Sequence, residues 1–486
     1  MSPSLRIAAA AALLLLPGLG AVDLWAPDEP RYAQVAEELR SMRHGARGLV
    51  VLHLNGEVYA HKPPLYFWLA ALSGWPAGRV TEVAARLPSA LSGIAAAVLV
   101  ARFGARLLGA RSGWLGAALL LTCWEFSWRA RRAQLDVLLA LFEGLAFAAF
   151  WRAAGAPRPD GARPPAAALA LLHASLGLAV LAKGPVGFAV PVLGMAAFLA
   201  WERRLSELPR LAPPWALLLS LGPGLAWLAA ATAVAGGGFL EEAVGTHVLR
   251  RFFAGSAHPR PVTYYLYQLP LSFLPWTLLA PLALAAARRV VFAPGGDPQR
   301  ARAWRLLLAW LGSAFAFFSL SAGKRGLYLL PALPAAALLA ADGVLAWLGR
   351  RGARPGRGLA GAVAAVALLE LAAFTAVLPL LDAEKSPRAL ARAAARLTAP
   401  GEPVGLLAKD SLVGGLAYYG GRPVAVLRSP REAAAFLGAG GRAAVVPAGR
   451  LEALERLTPV EVRARARSGA RALLVVSPPG ETGDLP

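Results

Sequence analysis

The chain has 486 residues, 57% hydrophobic and only 16% charged, with a mean hydropathy of +0.52. A soluble domain would be near half apolar and about a quarter charged, so a soluble globular protein is excluded. The net charge of +22 comes from 50 Lys and Arg against 28 Asp and Glu, but the cations gather in short links between apolar runs. That distribution orients a membrane protein and does not point to nucleic acid.

The chain opens with an apolar run, Ile7–Val22, behind Arg6. It has the look of a signal peptide, but cleavage near Ala21 would strip the anchor from the acidic stretch that follows, so a retained first span is expected. Apolar blocks lie near 5–22, 84–101, 112–128, 134–151, 165–182, 184–201, 213–235, 265–287, 304–320, 326–348 and 358–381. Each is long enough to cross a hydrocarbon core of about 30 Å. The links between them carry Arg102/Arg106/Arg111, Arg152/Arg158/Arg163, Arg203/Arg204/Arg210, Arg288/Arg289/Arg300/Arg302/Arg305 and Arg350/Arg351/Arg354/Arg357. All five links share one side if eleven spans alternate from a cytoplasmic N-terminus.

The expected fold is therefore an all-α polytopic membrane domain over 1–381, with outer loops near 23–83 and 236–264. Within the first loop, "PPLYFWLAALSGWPAG" is too short to span and reads as an interfacial or re-entrant helix. From 382 to 486, strand-like runs ("PVGLLA", "RPVAVL", "RAAVVP", "RALLVV") alternate with helix-like ones ("SPRALARAAARL", "PREAAAFLGA"), predicting a small outward α/β domain. The single cysteine, Cys123, lies in a span and permits neither an intramolecular disulfide nor a cysteine metal site.

That topology leaves cations on the side where short turns rarely carry them: Arg31, Lys62, Arg129, Arg131, Arg132, Lys183, Arg250, Arg251, Lys324 and Arg325. Singly, such residues snorkel to headgroups. Together they recur in the outer segments between spans and suit an anionic group, with Arg gripping phosphate bidentately and Lys acting as a point charge. A lipid phosphate is the anion available at that depth.

Carboxylates accompany them. In "PDEPRY", Asp28 reads as a helix N-cap with Pro30 in the first turn, which leaves Glu29 and Arg31 unexplained. Asp136 opens the fourth span at the same outer level. A carboxylate near a bound phosphate can take a proton from an attacking hydroxyl or amine as the phosphate leaves. Of six histidines, His61 with His247 or His258 can share a divalent metal (Zn or Mg/Mn) with a carboxylate. Glu143 and Glu370 lie deep in spans, marking a proton path or pairing within the bundle.

The ordered series "DEPRYAQVAEELR", "YAHKPPLYFWLAAL", "AARLPSALSG", "RRAQLDVLLALF", "GLAVLAKGPVGFAVPVLG", "HVLRRFF" with "HPRPVTYYLYQLPLSFLPW", and "SAGKRGLYLLPALPA" resembles the bacterial aminoarabinose transferases of lipid A and the protein O-mannosyltransferase-like glycosyltransferases. The likeness runs from about residue 20 to 345. It implies a GT-C fold and a polyprenyl-phosphate-linked sugar donor used on the periplasmic face of the bacterial inner membrane. It implies Asp28, beside Glu29, as the main catalytic carboxylate and Asp136 as an assisting one. Lys62, Arg251 and Lys324, joined by Arg31 and Lys183, would hold the donor phosphate, and Tyr328 would line the site. The family's acidic residue before Lys-Pro-Pro is replaced by His61, which puts the metal and the acceptor in question.

The resulting expectation is inverting sugar transfer from a polyprenyl-phosphate carrier to an envelope glycolipid, glycan or protein. No nucleotide cofactor is expected, since no phosphate-cradling glycine loop is visible. The competing class, a lipid-linked sugar transporter or flippase, would place its polar groups near mid-membrane and often shows paired repeats.

Overall fold

The computed structural model describes residues 2–157, 162–255, 258–292, 296–352, 357–468 and 471–480. Arg158 and Arg354 of the basic links lie outside the described residues. The chain forms two compact units. The first comprises Met1–Pro17, Ala60–Tyr66 and Pro88–Leu371, the second Gly18–Tyr59, Phe67–Leu87 and Ala372–Pro486.

Seven described helices are long and apolar enough to cross a membrane: Glu82–Leu108, Leu135–Ala154, Ala166–Lys183, Pro214–Ala235, Pro298–Leu320, Gly326–Arg350 and Arg357–Leu380. An eighth appears if Tyr264–Ser272 and Trp276–Val291, bent by 102°, count as one span. The protein is thus a multi-pass helical membrane protein. Pro270 and Pro275 remove ladder donors around the bend.

Three apolar blocks come out shorter than a span. The first is the helix Pro3–Leu15, ended by Pro17 and Gly18, with its last carbonyls taken by Arg131, which donates to Leu14 O at 2.8 Å and Pro17 O at 2.5 Å. The block at 112–128 splits into Ala110–Leu121 and Trp124–Ala130. The break is satisfied from the bent pair: Trp276 Nε1 donates to Thr122 O and Oγ1, both at 3.0 Å. The block at 184–201 is the sixteen-residue helix Val186–Trp201.

Within this unit Phe147 stacks on Trp310 at 4.4 Å, and Trp304, Phe150 and Phe198 are fully buried beside them. Lipid cannot drive helices together by hydrophobicity, so close backbone approach does. A Cβ on Gly113 would stand 2.3 Å from Ala101 O, where Ala110–Leu121 crosses Glu82–Leu108. A buried span carboxylate, Asp342, is paired as burial demands: it accepts from Arg300 at 2.9 Å, Trp304 Nε1 at 2.7 Å and Ser112 Oγ at 2.8 Å.

The second unit carries the helix Asp28–Arg40, a hairpin of β1 (His53–Leu54) and β2 (Glu57–Val58), and a five-stranded sheet. Its strands are β3 (Val404–Leu406), β4 (Val424–Val426), β5 (Ala444–Pro447), β6 (Glu461–Ser468) and β7 (Arg471–Ser477), in the order β4-β3-β5-β7-β6. The first three are parallel, and β7 and β6 continue antiparallel. Side chains alternate along each strand. Val404, Leu406, Val445 and Val475 pack beneath Arg388–Ala395 and Val413–Gly420, while Val446, Leu474 and Val476 face Pro430–Gly438 and Leu451–Glu455.

Candidate active site

In the second unit, the helix Asp28–Arg40 begins with two acids in its first turn, complementing the positive end of the helix dipole. Pro27 is the N-cap and Asp28 is the first helical residue. The capping expectation for Asp28 therefore does not hold: its carboxylate turns to Arg31 one turn on, forming an ion pair. Asp28 is 5% exposed, and the Arg31 guanidinium also lies 5.6 Å from the Tyr32 ring.

Glu29, expected beside Asp28 as a catalytic group, is taken up structurally. Both its oxygens accept from Arg86, at 2.8 and 3.1 Å, and Trp25 N donates to it at 3.2 Å. Arg86 is 1% exposed and also reaches the carbonyls of Leu19, Val22 and Asp23 at 2.7–2.8 Å. Sequence reasoning missed Arg86, because an arginine near a span end reads as an orientation signal.

The first unit gathers most of the remaining cations. A cavity of about 290 Å³ is lined by Lys62, Lys183, His247, Arg251 and Tyr328, with walls of Phe252, Phe317 and Phe318. A second, of about 330 Å³, shares Lys62, Lys183 and His247 and runs between apolar walls including Phe188, Leu225 and Trp227. Lys183 pairs with Asp136, and its ammonium lies 4.5 Å above the Tyr328 ring. Arg251 approaches the same ring at 5.9 Å, and its Nε is buried with no hydrogen-bond partner among the described residues. The result is a charged apex opening into two greasy grooves, the chemistry of a site for an anionic head with an apolar chain.

Lys324 does not line either cavity. Its ammonium is spent on backbone carbonyls, those of Ser321 and, at 3.1 Å, Arg260. Its ammonium thus serves backbone carbonyls, where a place among the phosphate-binding residues was expected.

The histidines also sort themselves. His61 and His247 face each other, ring centroids 4.0 Å apart. Glu242 joins them, and the donor atoms of the three lie within 4.8 Å of one another. His258 is not in this group; its carbonyl accepts from Lys324 N at 3.0 Å. Glu242 was not anticipated because it stands five residues before His247, and only the π-helix Glu241–Arg250, with its i→i+5 repeat, stacks residues so spaced. Burial, reinforced by Lys62 and Arg251 and opposed by Glu242, holds His247 below the ordinary imidazole value. Two imidazoles and a carboxylate fit the donor set of a divalent metal with a position left open.

Comparison with known proteins agrees with this architecture. The structure superposes on ArnT from Cupriavidus metallidurans, solved bound to undecaprenyl phosphate, with a TM-score of 0.80, 21% identity and 99% of each chain covered. It also superposes on the archaeal oligosaccharyltransferase AglB from Archaeoglobus fulgidus with a TM-score of 0.54, 15% identity, 93% of this chain and 71% of that one. The fold is therefore that of the GT-C membrane glycosyltransferases.

In sequence, residues 4–234 match the family model for dolichyl-phosphate-mannose-protein mannosyltransferase. The undecaprenyl phosphate-alpha-4-amino-4-deoxy-L-arabinose arabinosyl transferase of Shewanella sediminis is 31% identical, over 68% of this chain and 58% of the relative. A second transferase of that name, from Sodalis glossinidius, is 33% identical, over 70% and 59%. The chain is thus similar to both of these groups of polyprenyl-phosphate-sugar transferases, and its apolar helices make it a multi-pass membrane protein. It spans a little under three fifths of those relatives' length.

Proposed function

We propose that the protein transfers a sugar from a polyprenyl-phosphate carrier to an envelope acceptor on the periplasmic face, with inversion at the anomeric carbon. The observation that carries this is the convergence of Lys62, Lys183 and Arg251 on cavities whose remaining walls are apolar. A polyprenyl phosphate offers the matching pair of features. The arabinosyl transferases similar to this chain use such a carrier by their names, which favours an aminopentose donor.

In the reaction, a hydroxyl or amine of the acceptor attacks the anomeric carbon, and the bond from that carbon to the carrier phosphate breaks. Asp28, paired with Arg31, takes the proton from the attacking group. The departing phosphate gains negative charge, which Lys62, Lys183 and Arg251 stabilise. Asp136 assists by holding Lys183, and Tyr328 offers Lys183 and Arg251 an aromatic face. His61, Glu242 and His247 would hold a divalent metal, which when bound would supply a fixed positive charge at the edge of both cavities.

This reading keeps eleven membrane segments, counting the shorter apolar helices, with residues 1–381 as the membrane catalytic domain and 382–486 on the periplasmic side. Deleting the gene and comparing lipids by mass spectrometry tests it. Accumulated polyprenyl-phosphate sugar together with envelope molecules lacking that sugar is expected; unchanged lipid-linked sugars and envelope glycans would refute it.

A further inference from the structure

The expected catalytic segment, Asp23–Arg31, is held along its length by residues from the C-terminal end of the chain, all within the second unit. Asp382 accepts from Asp23 N at 3.0 Å and from Trp25 Nε1 at 2.7 Å. Ser386 Oγ donates to Asp23 Oδ2 at 2.5 Å, and Arg388 pairs with Asp23 at 2.7 Å. The Tyr419 hydroxyl accepts from Leu24 N at 2.7 Å. At the far end, the helix Val413–Gly420 packs on the helix Asp28–Arg40.

That last contact depends on two glycines. A Cβ on Gly414 would stand 2.4 Å from Arg31 Cα and 2.7 Å from Arg31 N. On Gly415 it would stand 2.7 Å from Pro387 Cγ, with Pro30 Cγ next at 3.8 Å. Both glycines lie inside a helix, where glycine is a poor former, and neither has a positive φ that would call for it. Their use is therefore proximity: they let one helix backbone rest on another at Arg31, the residue that pairs with Asp28.

We infer that the C-terminal α/β segment is a positioning element for catalysis, with Gly414 setting the register of the helix that bears Asp28 and Arg31. This rests on the reading of Asp28 as the proton acceptor. Backbone contact at Arg31 fixes where its guanidinium meets Asp28. The Asp382–Ser386–Arg388 anchors fix the segment leading in, so the carboxylate is set by the second unit's own packing. A shift of about 1 Å in such a group costs on the order of a hundredfold in rate.

The test uses the full chain in nanodiscs, assayed for sugar transfer and for thermal midpoint. Gly414→Ala is expected to lower kcat by about tenfold to a hundredfold with donor KM little changed, and to lower the thermal midpoint as the helices part to admit the Cβ. Val476→Ala, which opens a cavity on the opposite sheet face against Pro430–Gly438 and Leu451–Glu455, is expected to lower the midpoint and leave kcat near wild type. If Gly414→Ala does not fold, Asp382→Asn serves instead, with a smaller kcat loss and an unchanged KM. Activity that simply tracks the thermal midpoint across these variants would overturn the inference. Amide exchange over Asp23–Arg31 needs no turnover and separates the two readings. Faster exchange in Gly414→Ala but not in Val476→Ala supports positioning even if Asp28 proves dispensable, and unchanged exchange in Gly414→Ala overturns it.

Discussion

Removing the Arg86 guanidinium is the sharpest perturbation of the second unit. Arg86 is 1% exposed and donates to both oxygens of Glu29, itself 2% exposed, and to the carbonyls of Leu19, Val22 and Asp23. Arg86→Met keeps most of the volume but leaves a buried carboxylate without its counter-charge, and breaking such a pair costs about 3–5 kcal/mol. Three carbonyls also lose a donor at about 1 kcal/mol each, overlapping with the first cost because they share one group. The exposed pair Arg456–Glu452 is the control, since solvent and entropy cancel most of its attraction. In an SDS-unfolding titration, Arg86→Met should lose several kcal/mol and Arg456→Met almost nothing. Glu29→Gln should also lose stability, and its transfer activity should fall in step. Arg86→Met with wild-type stability, or Glu29→Gln fully stable but inactive, would refute the assignment of this pair to structure.

Other expectations follow from the same geometry. Lys183→Ala and Arg251→Ala should each raise donor KM about 10- to 100-fold, the worth of one charged hydrogen bond, and Arg251→Lys should recover only part because the fork is lost; unchanged donor kinetics would contradict the cavity's role. Lys324→Met should lower thermal stability and leave donor KM alone, since its ammonium serves Ser321 and Arg260; a large KM change would return it to the phosphate site. Burial holds His53 below the ordinary imidazole value, with stacked His44 at 3.7 Å adding to this and Glu38 opposing it. The unfolded chain therefore takes that proton first as pH falls below about 6.5. Stability is lost between that pH and the lower folded value, so His53→Gln should flatten the decline of thermal midpoint with acidification.

In the first unit, cations in turns where the expected topology disfavours them singled out Lys62, Lys183 and Arg251, which line one cavity. What charge placement could not reveal was how each cation is spent. Lys324 and Arg251 look alike in sequence, yet one caps carbonyls and the other faces a cavity. Arg86 sits in a long helix and betrays nothing of the five acceptors around it. Glu242 depends on a helical register that composition does not encode. In the C-terminal segment the strands rich in Val and Leu were readable, whereas β6, "EVRARARS", keeps a two-residue period but fills its inward positions mostly with Ala, a poor strand former. Gly414 and Gly415 read as helix weaknesses until the neighbouring backbone is seen.

The central claim is that one carboxylate takes the acceptor's proton while lysine and arginine hold a carrier phosphate. Single-turnover transfer from a polyprenyl-phosphate sugar, measured with purified wild type and Asp28→Asn alongside donor binding, tests it most directly. The account predicts that Asp28→Asn stays folded, binds donor and transfers no sugar; wild-type transfer by that variant would contradict it.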